Sequence, residues 1–201
     1  MRYTRKMPWD TAKDEELSSQ LTLAENSVQA LEALADTFAP LASRSFKRGR
    51  RDSIVEESIL RCASLLDADI KRGKVKLTLP ASAQTRVAVD PGELDTVILN
   101  LFLNSLYWIP KGNRPPELEV TVRRLPNGQR ARVTISDSGS GVAEDDADSI
   151  FLPGVTRKPG GIGMGLTVAA ELVSEYGGRL ALVRPGKLGG ATFVFDVPLK
   201  I

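Results

Sequence analysis

Four glycines crowd one end of the segment RKPGGIGMGLTVAAELVSEYGG, residues 157–178, just before a stretch with helical periodicity. They are Gly160, Gly161, Gly163 and Gly165. Glycine in this density weakens regular structure, so the backbone there must turn sharply or approach another group closely. A helix that begins on such a turn offers free N–H groups and a partial positive charge, which suit a phosphate. A flexible loop before a surface helix gives the same pattern, so this segment alone leaves phosphate binding open.

Polar side chains that could bind a ligand or a metal also occur at two other places. Asn100 and Asn104 lie four residues apart in the apolar stretch VILNLFLNSLYW, so they share one helix face. An unpaired buried amide is costly, and a hard cation such as Mg²⁺, which takes oxygen ligands and binds alongside substrate phosphates, would satisfy it. Asp137 ends a strand in VTISDSGSGV, where a buried carboxylate could accept a hydrogen bond from a ligand's amino group. Capping asparagines and an ordinary Asp-Ser-Gly turn are the alternatives.

Composition excludes several kinds of site. The 201 residues include no histidine, which rules out imidazole metal sites and Ser–His or Cys–His nucleophile pairs within this chain. The single cysteine, Cys62, excludes an internal disulfide and a structural zinc site, and is typical of a reducing cytoplasm. The net charge of +2 gives no support for nucleic-acid binding, and the basic run at 45–51 is explained by a solvated turn. No apolar run is long enough to cross a membrane.

The N-terminal part predicts a long helix from Asp14 to Phe38, ended by Pro40. Its apolar residues alternate at spacings of four and three, a heptad pattern that favours a helical hairpin or a dimeric bundle. Packing of this helix on its own domain is the alternative. The pattern consists of Leu17, Leu21, Ala24, Val28, Leu31, Ala35 and Phe38.

The remaining sequence predicts a mixture of helices and strands. A helix is expected over 52–70, with Ile54, Val55, Ile59, Leu60 and Leu66 on its apolar side, then short strands in KVKLTLP and TRVAVD. A long helix should begin at Asp90-Pro91, with the aspartate as cap. Two strands joined at Asn127-Gly128, a helix over 164–176 and a final hairpin follow. The order favours an α+β fold with helices layered on one face of a largely antiparallel sheet.

In their order and spacing these motifs resemble the ATP-binding catalytic domain of sensor histidine kinases, within the GHKL (Bergerat-fold) ATPase superfamily. The resemblance covers roughly residues 50–200. LNLFLNS matches the family's N-box, DSGSG its G1 box, Phe151 its F-box, and TRKPGGIGMGL its ATP lid and G2 box. It implies a two-layer Bergerat α/β sandwich over 49–201, preceded by a helical segment, 1–48.

The resemblance also implies a role for each matching residue. Asn104 would bind Mg²⁺, and Asp137 would hold the adenine amino group of ATP. The other nucleotide-binding candidates are Gly139, Gly141, Phe151, Arg157, Lys158, Gly161, Gly163, Gly165 and Leu166. Tyr107 departs from the pattern, because many members carry a lysine or arginine there, and phosphate charge would then fall on Mg²⁺, Arg157 and Lys158.

Asn100, a catalytic candidate with Asn104, indicates what is done with the ATP. In the hydrolytic branches of the superfamily a glutamate stands at this position and activates water, whereas an amide cannot act as a general base. Glu93 lies two helical turns further back and could not reach the same place. We therefore expect the chain to bind Mg-ATP and to present the γ-phosphate to a separate acceptor, as a histidine kinase does.

The acceptor histidine is missing from this chain, although helix 14–38 resembles the second helix of a dimeric acceptor hairpin. The expected partners are a histidine-bearing segment, a second copy of the chain and a response regulator, all in the cytoplasm. A fragment of a longer kinase, a partner-dependent ATPase-like module and a serine or threonine kinase are the open explanations. The long helical lead argues against the last. A regulatory interaction module and a hydrolytic ATPase are the alternative functions.

Overall fold

The structure is a computed structural model that describes residues 52–81, 83–126 and 128–200. Four features of the sequence analysis lie outside the described residues: the predicted helix over 14–38, Pro40, the basic run at 45–51 and Asn127. The division into segments 1–48 and 49–201 therefore stays a prediction.

The strands of the described residues are β1 (Ser53–Ile54), β2 (Lys76–Thr78), β3 (Arg86–Val87), β4 (Glu117–Arg124), β5 (Arg130–Asp137), β6 (Ala181–Leu182) and β7 (Thr192–Pro198). Five of them form one mixed sheet in the order β2-β4-β5-β7-β6, and the remaining two, β1 and β3, pair with each other. Only the β2–β4 pairing is parallel; the other neighbours in this sheet are antiparallel. Gly128, at the turn between β4 and β5, has a φ of 68°, a conformation that glycine adopts without strain.

The helices of the described residues are α1 (Val55–Leu65), α2 (Asp67–Arg72), α3 (Pro91–Trp108) and α4 (Gly165–Glu175). The predicted start of α3 is confirmed, because the Asp90 carboxylate accepts hydrogen bonds from the N–H groups of Gly92 (2.9 Å) and Glu93 (3.3 Å). A single 3₁₀ turn, Ile109–Lys111, extends α3. The predicted helix over 164–176 is confirmed as α4.

The prediction of one helix over 52–70 was wrong at both ends. Ile54 has extended backbone angles and pairs with β3, while the Val55 N–H donates to the Thr85 carbonyl. Leu66 leaves helical geometry, with a ψ of 12°, and separates α1 from α2. Leu60, predicted on the apolar side, is 52% exposed. The core covers the stripe of Val55, Ile59, Cys62 and Leu66, and Leu60 lies about 100° around the helix from Ile59, off that stripe.

The core lies between the sheet and the layer formed by α1, α3 and α4. Alternate residues of β5 and β7 are buried, including Val133, Ile135, Phe193 and Phe195, as expected for a sheet covered on one face. The predicted α+β fold is therefore confirmed. In the parts of the chain that the structure describes, every helix is too short or too polar to cross a bilayer.

Candidate nucleotide-binding site

Asp137 lies at the last position of β5 and is only 2% exposed. Its Oδ1 accepts hydrogen bonds from the N–H groups of Gly139 (2.9 Å) and Ala191 (3.0 Å), and its Oδ2 accepts one from the Ser105 hydroxyl (3.2 Å). Burial raises the pKa of the Asp137 carboxyl above its ordinary value, while these three donors act in the opposite direction. The site thus holds a buried carboxylate with most of its hydrogen bonds supplied by the fold.

Glycine beside Asp137 is required by close approach. A Cβ on Gly190 would lie 2.3 Å from Asp137 Oδ1 and 2.5 Å from the Gly139 nitrogen. No side chain fits in that space, so the loop before β7 reaches the carboxylate only as bare backbone. Gly139 contributes its N–H to Asp137, and Gly141 lies on the wall of the adjoining cavity.

A cavity of about 430 Å³ opens in front of Asp137. The predicted site residues on its wall, besides Asp137 and Gly141, are Asn104, Arg157, Lys158 and Leu166. Its other lining residues, which are mainly apolar, are Trp108, Ser140, Val142, Ala143, Asp146, Ile150, Val155, Thr156, Ala191 and Phe193. A deep, largely apolar cavity with a carboxylate inside it suits a flat heteroaromatic ring that carries an amino group.

Phe151, the predicted F-box residue, does not line this cavity. Its ring packs edge-to-face on Phe193, with 6.3 Å between ring centres, and Phe193 forms part of the wall. Phe151 therefore supports the wall from behind. Sequence reasoning missed Phe193 because nothing in its strand distinguishes it from the other buried residues of β7.

The two asparagines of α3 have different surroundings. Asn104 lines the cavity, and its Oδ1 accepts a hydrogen bond of 2.6 Å from the Lys158 ammonium. Asn100 donates from Nδ2 to the Thr96 carbonyl at 2.9 Å and lies beside Gly165, where a Cβ would come within 2.6 Å of the Asn100 side-chain oxygen. Asn100 thus packs against the first residue of α4, outside the cavity wall.

Lys158 and Arg157 also differ, although they are neighbours in sequence. Burial, and then the charge of Lys111, lower the pKa of Lys158 to about 8. Arg157 is exposed and forms a two-point ion pair with Asp146, at 2.7 Å from Nε and 2.9 Å from Nη2. On the cavity wall, Arg157 is therefore neutralised by a carboxylate, whereas Lys158 donates to the neutral amide of Asn104 and keeps its charge available for a ligand.

The glycine loop closes on itself before α4 begins. The Gly154 N–H donates to the Gly163 carbonyl at 3.1 Å, and Gly163 has a φ of 72°. The Gly161 N–H donates to the Lys158 carbonyl. No side chain caps the N-terminus of α4 among the described residues, so its first N–H groups are available to an anion.

Ser105 is a site residue that sequence reasoning missed. It is 1% exposed, and its hydroxyl donates to the carboxylate that forms the floor of the cavity. The available signal was its position directly after Asn104, which places it on the neighbouring side of the same helix.

Comparison with known proteins identifies the family of this domain. Residues 89–201 match the family described as histidine kinase-, DNA gyrase B-, and HSP90-like ATPase. The sensor histidine kinase ZraS of Klebsiella oxytoca is 35% identical over 148 residues, which are 73% of this chain and 31% of that protein. The sensor-like histidine kinase SenX3 of Mycolicibacterium smegmatis is 28% identical over 192 residues, 87% of this chain and 47% of that protein. The chain thus spans about a third to a half of the length of these relatives.

Solved structures give the same result for the fold. The catalytic domain of histidine kinase ThkA matches with a TM-score of 0.64 and 22% identity, over 73% of this chain and 95% of that one. Full-length ShkA in complex with AMPPNP matches with a TM-score of 0.71 and 25% identity, over 92% of this chain and 39% of that one. The chain therefore belongs to the histidine kinase-, DNA gyrase B-, and HSP90-like ATPase family, and contains an ATPase domain of the histidine kinase type.

Proposed function

We propose that this domain binds Mg-ATP in the cavity and presents the γ-phosphate to a histidine outside this chain. The observation that carries the proposal is Asp137. Its Oδ1 is occupied by two backbone donors, whereas Oδ2 receives one hydrogen bond from Ser105 and keeps acceptor capacity. An adenine amino group in the apolar cavity would complete the hydrogen bonding of this oxygen.

The cavity residues fit a magnesium ion bound together with phosphates. Asn104 offers an amide oxygen, a ligand type that Mg²⁺ accepts, and this oxygen already receives the Lys158 ammonium. Among the described residues no three acidic, cysteine or histidine side chains cluster as a metal cage, so phosphates and water would supply the other ligands. The metal would neutralise phosphate charge, while Asn104 holds it at the wall and Lys158 moves onto the phosphates.

Phosphate transfer is favoured over hydrolysis because the cavity lacks a free general base among the described residues. Of its two lining carboxylates, Asp137 is assigned to the adenine amino group at the other end of the ligand, and Asp146 is paired with Arg157. Asn100 carries no basic group. Glu93 accepts a hydrogen bond from the Tyr176 hydroxyl and lies outside the wall of this cavity. Water bound near the phosphates would therefore meet no residue placed to deprotonate it.

The partners of this activity are part of the same proposal. A histidine on a two-helix segment would receive the phosphate, helix 14–38 would pair two copies, and a response regulator would take the phosphate onward. The curated relatives that carry the name sensor histidine kinase support this arrangement. The single cysteine supports a cytoplasmic setting.

The test is calorimetry with Mg-ATP on the purified chain, with release of inorganic phosphate followed in the same sample. We expect saturable binding with negligible release of phosphate. When the γ-phosphate of the ATP is labelled and a histidine-bearing helical hairpin from a ZraS-type kinase is added, we expect the label on the hairpin. Steady phosphate release that is lost in Asn104→Ala would identify a hydrolytic ATPase instead. Binding without either reaction, for every hairpin tried, would favour the regulatory interaction module.

A further inference from the structure

Lys111 lies at the end of the 3₁₀ turn that extends α3, and its ammonium rests on the Tyr107 ring. The Nζ atom is 3.3 Å from the ring centre and donates to the Tyr107 carbonyl at 2.7 Å. Lys158, which comes from the glycine loop, reaches the same ring at 4.8 Å from its centre. Two lysines from separate segments thus converge on one aromatic side chain next to Asn104.

This convergence brings together two positive charges. Among the described residues, neither ammonium has a carboxylate within 4 Å, whereas Lys71, Lys76, Lys187 and Lys200 each do. Like charges repel, and the face of an aromatic ring offsets that repulsion only in part. An anion that bridges the two ammonium groups would remove the repulsion.

The position of the pair indicates which anion fits. Lys158 contacts Asn104, the residue proposed to face the metal and the phosphates, and Tyr107 lies one helical turn after Asn104. Arg157 does not provide the missing charge, because Asp146 occupies its guanidinium. The only ligand in the proposed reaction with a matching negative charge is the phosphate chain of the nucleotide.

We propose that Lys111 is a second phosphate-binding lysine, and that Tyr107 is the positioning residue that holds it beside Lys158. The proposal rests on the proposed function, since it assigns further residues to the same nucleotide. It also gives Tyr107 a role at a position where a cationic side chain was expected: the ring carries the charge of a lysine four residues further along the chain. Lys111 retains N–H donors beyond the one that caps the Tyr107 carbonyl.

The test compares ligands that differ only in phosphate. Affinities of ATP, ADP and adenosine are measured for the wild-type chain and Lys111→Gln, in EDTA and in Mg²⁺, with adenosine followed by displacement of a fluorescent ATP analogue. We expect Lys111→Gln to weaken ATP binding roughly five- to tenfold and to leave adenosine unchanged. Lys71→Gln, which removes an exposed lysine of α2, is the matched control and should change neither.

Tyr107 provides an independent check. Tyr107→Phe keeps the ring face and should bind ATP as the wild type does, whereas Tyr107→Leu should lose affinity for ATP but not for adenosine. Thermal unfolding of each variant is measured alongside, because a helix-capping role of Lys111 would lower the melting temperature without changing the ratio of ATP to adenosine affinity.

An ATP affinity of Lys111→Gln equal to that of the wild type would overturn the inference and leave the proposed function intact. A wild-type chain that binds neither ATP nor adenosine would overturn both. A fall in both affinities by the same factor counts against the inference as well, since it would place the effect of Lys111 on folding or on the adenine end of the cavity.

Discussion

Asp137 is proposed to bind ATP, but its buried carboxylate lowers the free energy of unfolding. Burial raises the pKa of its carboxyl, so the folded state binds a proton more readily than the unfolded chain does. The free energy of unfolding therefore falls as pH rises from the ordinary aspartate pKa through the raised one, and the ionised carboxylate costs stability at neutral pH. A residue kept at such a cost is a candidate for function rather than packing.

We expect Asp137→Asn to abolish ATP binding without lowering the melting temperature at pH 7. The asparagine oxygen can still accept the N–H groups of Gly139 and Ala191, and its amide can donate to the Ser105 hydroxyl. The amide would, however, turn a donor towards the adenine amino group. Calorimetry gives the affinity, and thermal unfolding gives the stability; the stability gained over wild type should shrink as pH is lowered. Unchanged ATP affinity would refute the adenine assignment.

Ser105→Ala tests the support of this carboxylate. Loss of a hydrogen bond to a buried charged group costs about 1.5–3 kcal/mol, and it removes a donor that holds the pKa of Asp137 down. We expect weaker ATP binding at pH 7, and we expect affinity to fail at a higher pH than in wild type when the solution is acidified. A matching loss of ATP affinity with an unshifted acid limit would mean that Ser105 acts through packing alone.

The site residues show what sequence can and cannot predict at this scale. Asn104 and Asp137 were candidates because family boxes constrain residue type and spacing, and the structure places both on the cavity wall. Ser105 and Lys111 were not found, because their contacts join positions that the fold brings together: 32 residues apart for Ser105 and Asp137. Nothing in the local sequence around Lys111 shows that it shares a ring with Lys158.

At the scale of elements, a backbone hydrogen bond joins the two ends of the glycine loop before α4. Gly154 N–H and Gly163 carbonyl oxygen join its two ends, at 3.1 Å. Thr156 and Lys158, which line the cavity, lie between these ends. The hydrogen bond therefore limits the positions that both residues can take. The loop thus behaves as a closed unit whose geometry depends on Gly163.

We expect Gly163→Ala to weaken ATP binding much more than Gly160→Ala. Both glycines have positive φ, 72° and 71°, so both substitutions carry the same backbone strain of about 1 kcal/mol. A Cβ at 163 would also lie 2.5 Å from the Gly154 carbonyl carbon, whereas a Cβ at 160 meets no atom within 4 Å. Calorimetry with Mg-ATP and urea unfolding of both variants check this. Equal losses in affinity would mean that the contact at Gly154 is unimportant.

The long elements α3, β4 and β5 were predicted correctly, as were the short strands β2 in KVKLTLP and β3 in TRVAVD, whereas the bounds of the helix over 52–70 were wrong. The cap at Asp90 and the apolar spacing define α3, and the period of two defines β4 and β5. The strand at 53–54 is defined by its pairing with β3. It is only two residues long, so it is too short to show the period-two alternation that predicts a strand.

At the scale of the whole molecule, the cavity and the core share the same elements. Leu101 and Phe102 of α3 are fully buried, while Asn104, one turn further along, lines the cavity. β5 places Ile135 in the core and ends in Asp137, and α4 buries Val168 just after Leu166 reaches the wall. A ligand that joins these elements therefore stabilises the fold as a unit, because none of them can open without exposing core residues.

Mg-ATP should accordingly raise the melting temperature of the described domain. A ligand at one hundred times its dissociation constant adds about 2.7 kcal/mol to the free energy of unfolding, which corresponds to roughly 5–10 °C for a domain of this size. Differential scanning fluorimetry over a series of Mg-ATP concentrations checks the expectation, with Asp137→Asn as the control that should show no shift. A shift of equal size in that variant would mean that the nucleotide binds without contacting the Asp137 carboxylate, and therefore at another place.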